Sequence, residues 1–436
     1  MKQARVFFPL VILTIPMLIP VQATAQPQYL TAQPRSPGMV NAGNAAMPGP
    51  MYSPVAPVAY LNAAQAGHPG MPPSQMAPHD PDAWDGNGPI EQFLSYMVHK
   101  TTFRLDYMLW SFDEPGMVRL GAPRADVLPN STPFEAEPFE VFDQATGVSR
   151  GFATVPNLFD TSLRDVNGIR GTLTMPSKAV DFELSFWVTQ QTGDQQQLDV
   201  FPGTNLIATS LLLNGDVSDN AVIYDLLYRS DLTSEVWGTH GLFVWNDPLY
   251  TQFTDGVKIQ VRPMLGFRFV NLKERLLQTG VDTLGGLEPP RTAVIDSETN
   301  NNVYGPEFGL RAELVNPYFT LGLQPRITFG LNDFSAQVRS DQILSATEAT
   351  RLTRVTRIDF TPIFEFNAYA KVHVTDNLSI HVGYDFMWLN RVTRPYNNIR
   401  YNEIRVGGNS FSDISLREDL EDFYLQGLTV GGELRF

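Results

Sequence analysis

Apolar and polar residues alternate with a period of two along most of the chain beyond residue 100. In the stretch 257–269 the odd positions are apolar, and the even positions include Lys258, Gln260, Arg262 and Arg268. The same alternation recurs at 180–188, 319–331, 380–388 and 428–436. This period is typical of β-strands that have one apolar and one polar face. The pattern therefore predicts an all-β protein.

The length of these alternating stretches separates two kinds of β-protein. Strands of soluble proteins average about five or six residues, whereas a tilted strand needs about nine to eleven residues to cross a bilayer. Most stretches here reach that length, and no run of eighteen apolar residues follows the first 25. In a barrel the apolar face meets lipid and the polar face lines the lumen. We expect a transmembrane antiparallel up-and-down β-barrel rather than helical spans.

The strand count follows from where the alternation starts and stops. Short connections alternate with long ones, as in bacterial outer-membrane barrels, and an even strand count places both termini in the periplasm. The stretch 222–245 is treated as one long strand because its apolar residues stay on even positions from Val222 to Val244. Twelve strands are the alternative if a long connection hides one. Ten strands are predicted, at 101–111, 166–175, 179–189, 222–245, 257–270, 302–315, 318–331, 357–372, 378–390 and 422–436.

The first 89 residues have two features of their own. Lys2 and Arg5 precede an apolar stretch at 6–21, and Ala23-Thr24-Ala25 matches the small-residue pattern of signal peptidase sites. We predict a signal peptide at 1–25 that directs Sec export and is cleaved near Ala25; a retained membrane anchor is the alternative. Residues 26–89 are rich in Pro, Ala and Met, which predicts a disordered linker. The barrel domain is then 90–436.

Composition narrows the function classes. The chain has 436 residues, of which 43% are hydrophobic and 18% charged, and its formal net charge is −15. An acidic chain lacks the basic footprint of a nucleic-acid partner. The absence of cysteine excludes disulfides, thiolate metal sites and a cysteine nucleophile. No spacing resembles a dedicated Ca²⁺ loop, so we expect no metal and no cofactor.

Aromatic residues add two expectations about the membrane. The chain ends on Phe436 after an alternating strand, and a terminal aromatic residue resembles the sorting signal of outer-membrane barrels. Trp110, Trp187, Trp245 and Trp388 fall near strand ends, where aromatic girdles lie in such barrels.

The polar face of the strands predicts what lines the lumen. Nine positive and nine negative side chains fall on that face, including Glu235. A barrel of about eight strands is filled by its own side chains, so a ten-stranded lumen should be narrow, charge-balanced and weakly conducting at most. The candidate lumen residues are Arg104, Asp106, Asp181, Glu183, Arg262, Arg268, Glu307, Arg311, Arg326, Glu365, His381 and Asp385.

Two other function classes are alternatives to a porin-like or structural envelope protein. An outer-membrane hydrolase needs a nucleophile and an oriented base, and His381 with Asp385 is the nearest pair. These residues are four apart on one strand, about 13 Å, which is too far for contact. His240 falls in the apolar phase. No Gly-x-Ser-x-Gly or His-Glu-x-x-His motif is present. We expect no enzymatic activity and no catalytic residue. A secreted soluble β-sandwich adhesin is the third class.

Four blocks of sequence resemble a known family. They are VRPMLGFRFVNLKERL at 261–276, NVYGPEFGLRAE at 302–313, TDNLSIHVGYDFMWLNRVTRP at 375–395 and FYLQGLTVGGELRF at 423–436. Together they resemble the beta-barrel porin family seven of planctomycete bacteria. The family's Gly after Arg-Pro is Tyr396 here. The resemblance implies an outer-membrane barrel of a Gram-negative envelope, with outer-membrane lipid and the barrel-insertion machinery as partners and passive small-solute passage as the porin-like activity.

Overall fold

The computed structural model describes residues 100–124, 138–142, 147–201, 205–254, 256–283 and 290–436. The predicted signal peptide and Pro-rich linker lie outside these residues. No helix in the described residues has the length and apolarity to cross a bilayer.

Ten antiparallel strands form the main sheet, and each pairs with its neighbours along the chain. The last strand pairs with the first, so the sheet closes into a ring. The strands are β1 (Thr102–Phe112), β2 (Val166–Met175), β3 (Val180–Thr189), β4 (Leu227–Trp245), β5 (Val257–Asp282), β6 (Arg291–Val315), β7 (Phe319–Asp341), β8 (Arg351–His373), β9 (Leu378–Thr393) and β10 (Leu420–Arg435). The all-β barrel and its ring of ten strands are confirmed, and the β-sandwich alternative is wrong because one sheet closes on itself.

Shorter strands decorate the ring. Thr192–Leu198 pairs with the upper part of β4, and Tyr250–Thr254 pairs with the start of β5. Two smaller sheets and a two-stranded ladder come from the long connections. Their strands are Phe139–Phe142, Ser149–Thr154, Asn205–Ser210, Leu212–Leu213, Ala221–Tyr224, Ile399–Arg400, Asn402–Val406, Asn409–Ser412 and Ser415–Leu416.

The stretch 222–245 is not one strand, so that prediction is wrong. Ala221–Tyr224 pairs with Asn205–Ser210, and the ring strand β4 begins only at Leu227. Even positions of β4 face inward, where they are buried. Glu235 therefore faces outward and His240 inward, opposite to the sequence assignment, because the apolar phase of this strand packs inside the barrel.

Strands β5 and β7 each consist of two segments with opposite polarity. In the lower segment, β5 257–269 and β7 319–331 with the adjoining parts of their neighbours, outward side chains such as Phe267 and Leu323 are apolar and exposed. In the upper segment, β5 270–282 and β7 332–341 with the adjoining parts, the outward side chains of these two strands are mostly polar, such as Lys273 and Gln337. Apolar side chains there turn inward instead, and Leu272 and Val338 are fully buried. The strands continue where the sequence suggested long loops.

The aromatic girdle expectation holds for only part of the tryptophan set. Trp110 and Trp187 face inward, where they are buried with ring centroids 5.2 Å apart. Trp388 lies on the outward side of β9 and stacks on Phe364 at 5.3 Å. The inward pair corrects the assignment, since these rings fill the narrow interior instead of the interface.

Candidate functional site

The lumen of the lower segment contains all the predicted site residues. Alternation along each strand turns these side chains inward once the ring closes. Nine of them are buried, and Arg104, Asp181 and Arg262 are partly exposed. The buried nine are Asp106, Glu183, Arg268, Glu307, Arg311, Arg326, Glu365, His381 and Asp385.

A central cluster joins four adjacent strands, β5 to β8. Arg268 donates from Nη2 to Glu307 Oε1 at 2.7 Å and also pairs with Glu365. Arg326 pairs with Glu365, and its Nε lies 3.5 Å from Glu307 Oε1. His240 of β4 closes the cluster, with its Nε2 at 3.3 Å from Arg326 Nη1. Two guanidinium groups thus balance two carboxylates in a part of the lumen that is shielded from water.

A second cluster lies against β1, β2 and β9. Arg170 donates to Asp106 Oδ2 at 3.0 Å and to Asp385 Oδ2 at 3.1 Å. Arg104 donates to the same Asp106 oxygen at 3.1 Å. His381 contacts Asp106, with 3.4 Å between Nδ1 and Oδ1. The sequence pair His381 and Asp385 is not brought together, because the two residues lie four positions apart on one extended strand; Asp385 pairs with Arg170 instead.

A third cluster lies closer to the lower opening. Arg311 donates from Nη2 to Glu183 Oε2 at 2.7 Å. Arg262 bridges two strands, donating to Glu313 Oε2 at 2.8 Å and to Asp181 Oδ2 at 3.3 Å. Each of the three carboxylates in this cluster therefore has a cationic partner.

The open part of the lumen is a small polar cavity. Its volume is about 190 Å³, and its lining includes Lys100, Arg104, Asp181, Lys371 and Arg435. Nearby, Lys371 Nζ lies 2.7 Å from a Glu433 carboxylate oxygen. The cavity ends against the buried clusters, so the described lumen is a vestibule with a filled interior behind it.

The pairing explains how charges persist inside the barrel. Removing one partner of a buried ion pair costs about 3–5 kcal/mol, because the other charge is left uncompensated. Balanced Arg and carboxylate groups with shared hydrogen bonds avoid that penalty. The arrangement offers fixed, mutually paired charges rather than free groups that face a passing solute.

The upper segment holds a charged residue that sequence reasoning missed. Arg394 follows β9 and is fully buried. It donates to both carboxylate oxygens of Glu274 at 2.9 Å and to Asp113 Oδ2 at 2.8 Å. Burial raises the pKa of Asp113, and Arg394 opposes that rise. Only the Arg-Pro dipeptide hinted at this residue, and the dipeptide alone indicates no partner.

Segment 393–402 fills the upper interior. Ser297 Oγ donates to the carbonyl of Pro395 at 2.7 Å, and Asn301 Nδ2 donates to the carbonyl of Thr393 at 2.9 Å. Around it, the apolar side chains of β5, β6, β7 and β9 form one buried cluster. The upper interior is therefore a packed core, built like that of a water-soluble domain.

These features define a closed ten-stranded β-barrel with an apolar outer belt and a paired polar lumen. Residues 247–436 match a family model described as "Putative beta barrel porin-7". The matched range contains all four blocks that resemble this family, so the resemblance is confirmed there. No curated protein matches the chain.

Solved structures with weak similarity also exist. The outer membrane protease OmpT from Escherichia coli is 9% identical, with 78% of this chain and 97% of that chain covered and a TM-score of 0.37. A TodX deletion mutant, described as a monoaromatic hydrocarbon channel, is 9% identical, with coverages of 79% and 92% and a TM-score of 0.22. The Pseudomonas putida toluene transporter TodX is 8% identical, with the same coverages and a TM-score of 0.20. Scores this low support no inference about activity.

Proposed function

We propose that this chain is a porin-like outer-membrane barrel with a closed lumen, which serves as a structural component of the cell envelope. The lower segment crosses the bilayer, and the upper segment stands outside the cell as a rigid extension. The observation that carries this proposal is the central cluster of Arg268, Glu307, Arg326 and Glu365, which is shielded from water. Passive passage of small solutes would require these pairs to separate.

The membrane location is supported by three features. Outward side chains such as Leu323 and Phe267 form an exposed apolar belt at 257–269 of β5 and 319–331 of β7, each thirteen residues long, which is enough for a tilted strand to cross the hydrocarbon layer. The predicted signal peptide provides export, and Phe436 provides the sorting signal for the insertion machinery.

The absence of enzymatic activity is supported by the burial of His240 and His381, which closes both rings off from solvent.

Single-channel recording on refolded mature protein tests the closed lumen. We expect no stable porin-like steps from the wild type in planar bilayers. The variant Arg268→Ala with Glu365→Ala removes charges from the central cluster and should raise conductance, while Arg339→Ala on the outer surface should not. Large, stable steps from the wild type would overturn the closed lumen.

Fractionation tests the location separately. The protein should require detergent for extraction and should change its electrophoretic mobility on boiling. Recovery in the aqueous phase after carbonate washing would overturn the membrane assignment.

A further inference from the structure

A charged groove lies on the outward face of the upper segment. Its volume is about 530 Å³, which is within the usual range of about 300–1,000 Å³ for ligand sites. Strands β4, β5 and β6 form its walls. The charged side chains that line it on the outside are Arg229, Asp231, Glu235, Lys273, Arg275, Asp296 and Glu298.

The groove starts where the apolar belt ends. Trp237 and Phe269 are the last aromatic side chains of the belt on β4 and β5, and their ring centroids are 5.0 Å apart. The next outward residue on β4 is Glu235, which is paired in register with Lys273. If the lower segment lies in the bilayer, this groove therefore faces the headgroup layer of the outer leaflet.

The charges in the groove form exposed pairs of opposite sign. Arg275 donates to both carboxylate oxygens of Asp296 at 2.8 and 2.9 Å, and Lys273 Nζ lies 3.1 Å from Glu298 Oε1. The side chains of Lys273 and Arg275 are 51% and 48% exposed. Surface ion pairs are weak, so a ligand can exchange for one partner at little cost.

The mixed chemistry indicates the kind of ligand. A site for a simple anion would be mainly basic, and a site for a metal cation mainly acidic, whereas this groove interleaves both. Arginine and lysine bind phosphate oxygens, and carboxylates accept hydrogen bonds from hydroxyl groups. A phosphorylated sugar presents both groups within a volume of this order.

We propose that the groove binds the phosphorylated sugar headgroup of an outer-leaflet glycolipid. The acyl chains would lie on the belt below, beside Trp237 and Phe269. Lys273 and Arg275 hold phosphate, and Asp231 and Glu235 accept from sugar hydroxyls. The inference rests on the proposed function, because it requires the lower segment to lie in the bilayer.

The outer surface of β7 and β8 supplies a matched control. Arg339 and Arg354 also face outward in the upper segment and are exposed, but they lie outside the groove. Replacing them removes the same number of positive charges as replacing Lys273 and Arg275. A difference in binding between the two double variants therefore reflects the position of the charges in the groove rather than the change in net charge.

Binding of rough lipopolysaccharide, a glycolipid with phosphorylated core sugars, to the refolded mature protein in neutral detergent tests the proposal. The double variant Lys273→Gln with Arg275→Gln should weaken binding about tenfold or more. The control Arg339→Gln with Arg354→Gln should bind within about twofold of wild type. Equal affinity of the two double variants would overturn the proposal.

Two further measurements complete the test. Thr233→Trp fills the groove without a change in charge and should also weaken binding; wild-type affinity would contradict the site. Phosphatidylglycerol should compete poorly, and equal competition would reduce the interaction to simple charge attraction and overturn the assignment. Heat-modifiable mobility is recorded for every variant, so failure to insert, which would challenge the proposed function, is distinguished from insertion without glycolipid binding.

Discussion

The lower and upper segments share the same strands but are built in opposite ways. On β7, Leu323 faces outward in the lower segment and Gln337 faces outward in the upper segment. Facing inward on the same strand are Arg326 below and Val338 above, both buried. The backbone ladder runs through both segments without a break in register. The strand thus fixes only the alternation, and the surrounding solvent decides which face is polar.

The contrast also shows two ways to fill a narrow ring. Below, paired charges such as Arg268 and Glu307 occupy the interior, because the apolar side chains are needed on the lipid side. In the proposed orientation water surrounds the upper segment, so apolar side chains such as Leu276 pack inside and gain from burial. Arg394 is one of several charged residues buried in the upper segment, and Glu274, Asp113 and Glu421 surround it.

The largest expected effect comes from removing the Arg394 guanidinium. Arg394→Met removes the cation and leaves the buried Glu274 and the half-buried Asp113 uncompensated, which should cost about 3–5 kcal/mol. Hydrogen exchange should show faster exchange in segment 393–402, with β1 to β3 of the lower segment less affected. Arg339→Met, an exposed site on β7, should change little. Unaltered protection in Arg394→Met would show that this ion cluster does not hold the upper core together.

A matched pair on β7 tests the polarity of the outer surface. Leu323→Arg places a charge on the lipid-facing side and should destabilise the barrel by about 2–4 kcal/mol in a bilayer. Gln337→Arg, on the same side of the strand in the upper segment, should stay within about 0.5 kcal/mol of wild type. Denaturant unfolding from vesicles measures both. Similar losses for the two variants would contradict a boundary between lipid and water on this strand.

The smallest effect is a dependence on pH in the upper segment. Burial raises the pKa of Glu421, which lies 3.6 Å from Arg394. A raised pKa in the folded state means that wild type loses stability as pH rises through that pKa. Glu421→Gln does not titrate, so its melting temperature relative to wild type should increase as pH rises from the unfolded-state pKa through the raised folded-state pKa.

An exposed carboxylate gives the control of opposite sign. Hydrogen bonding from Arg391 lowers the pKa of Asp359. Ionised Asp359 therefore stabilises the folded state above its unfolded pKa, and this contribution is lost as pH falls through the lowered value. The melting temperature of Asp359→Asn should fall below that of wild type as pH rises. If the melting temperatures of Glu421→Gln and Asp359→Asn changed in the same direction with pH relative to wild type, the opposite pKa shifts of the two carboxyl groups would be contradicted.

The sequence predicted the ring well and the upper segment poorly, for one physical reason. Period-two alternation identified the lower strands apart from the start and the facing of β4, because most of them keep one apolar phase for about ten residues or more. On β5 that phase moves from odd positions ending at Phe269 to even positions starting at Val270. The same shift follows Leu331 on β7. A change of phase resembles the end of a strand, although here the strand continues and only the polarity of its two faces is exchanged.

The lumen clusters were predictable as a set but not as pairs. Inward placement of Arg268 and Glu307 follows from alternation alone, whereas their contact requires the register of β5 with β6. The contact between His381 and Asp106 depends on strands that are far apart in sequence and meet only through β10. The prediction that Glu235 faces inward is wrong because it places the apolar side of β4 outward. On this strand the apolar side faces inward.

The Arg394 contacts also depend on closure of the ring. Asp113 follows the first strand of the ring, its backbone N–H donates to the carbonyl of Tyr424 on the last strand, and its carboxylate receives Arg394. Contacts between residues so distant in sequence form late, because a long loop must close first. The guanidinium can reach all its acceptors only after the first and last strands have met. The cluster thus joins the first and last strands where the barrel closes, and a barrel that has not closed would lack these contacts.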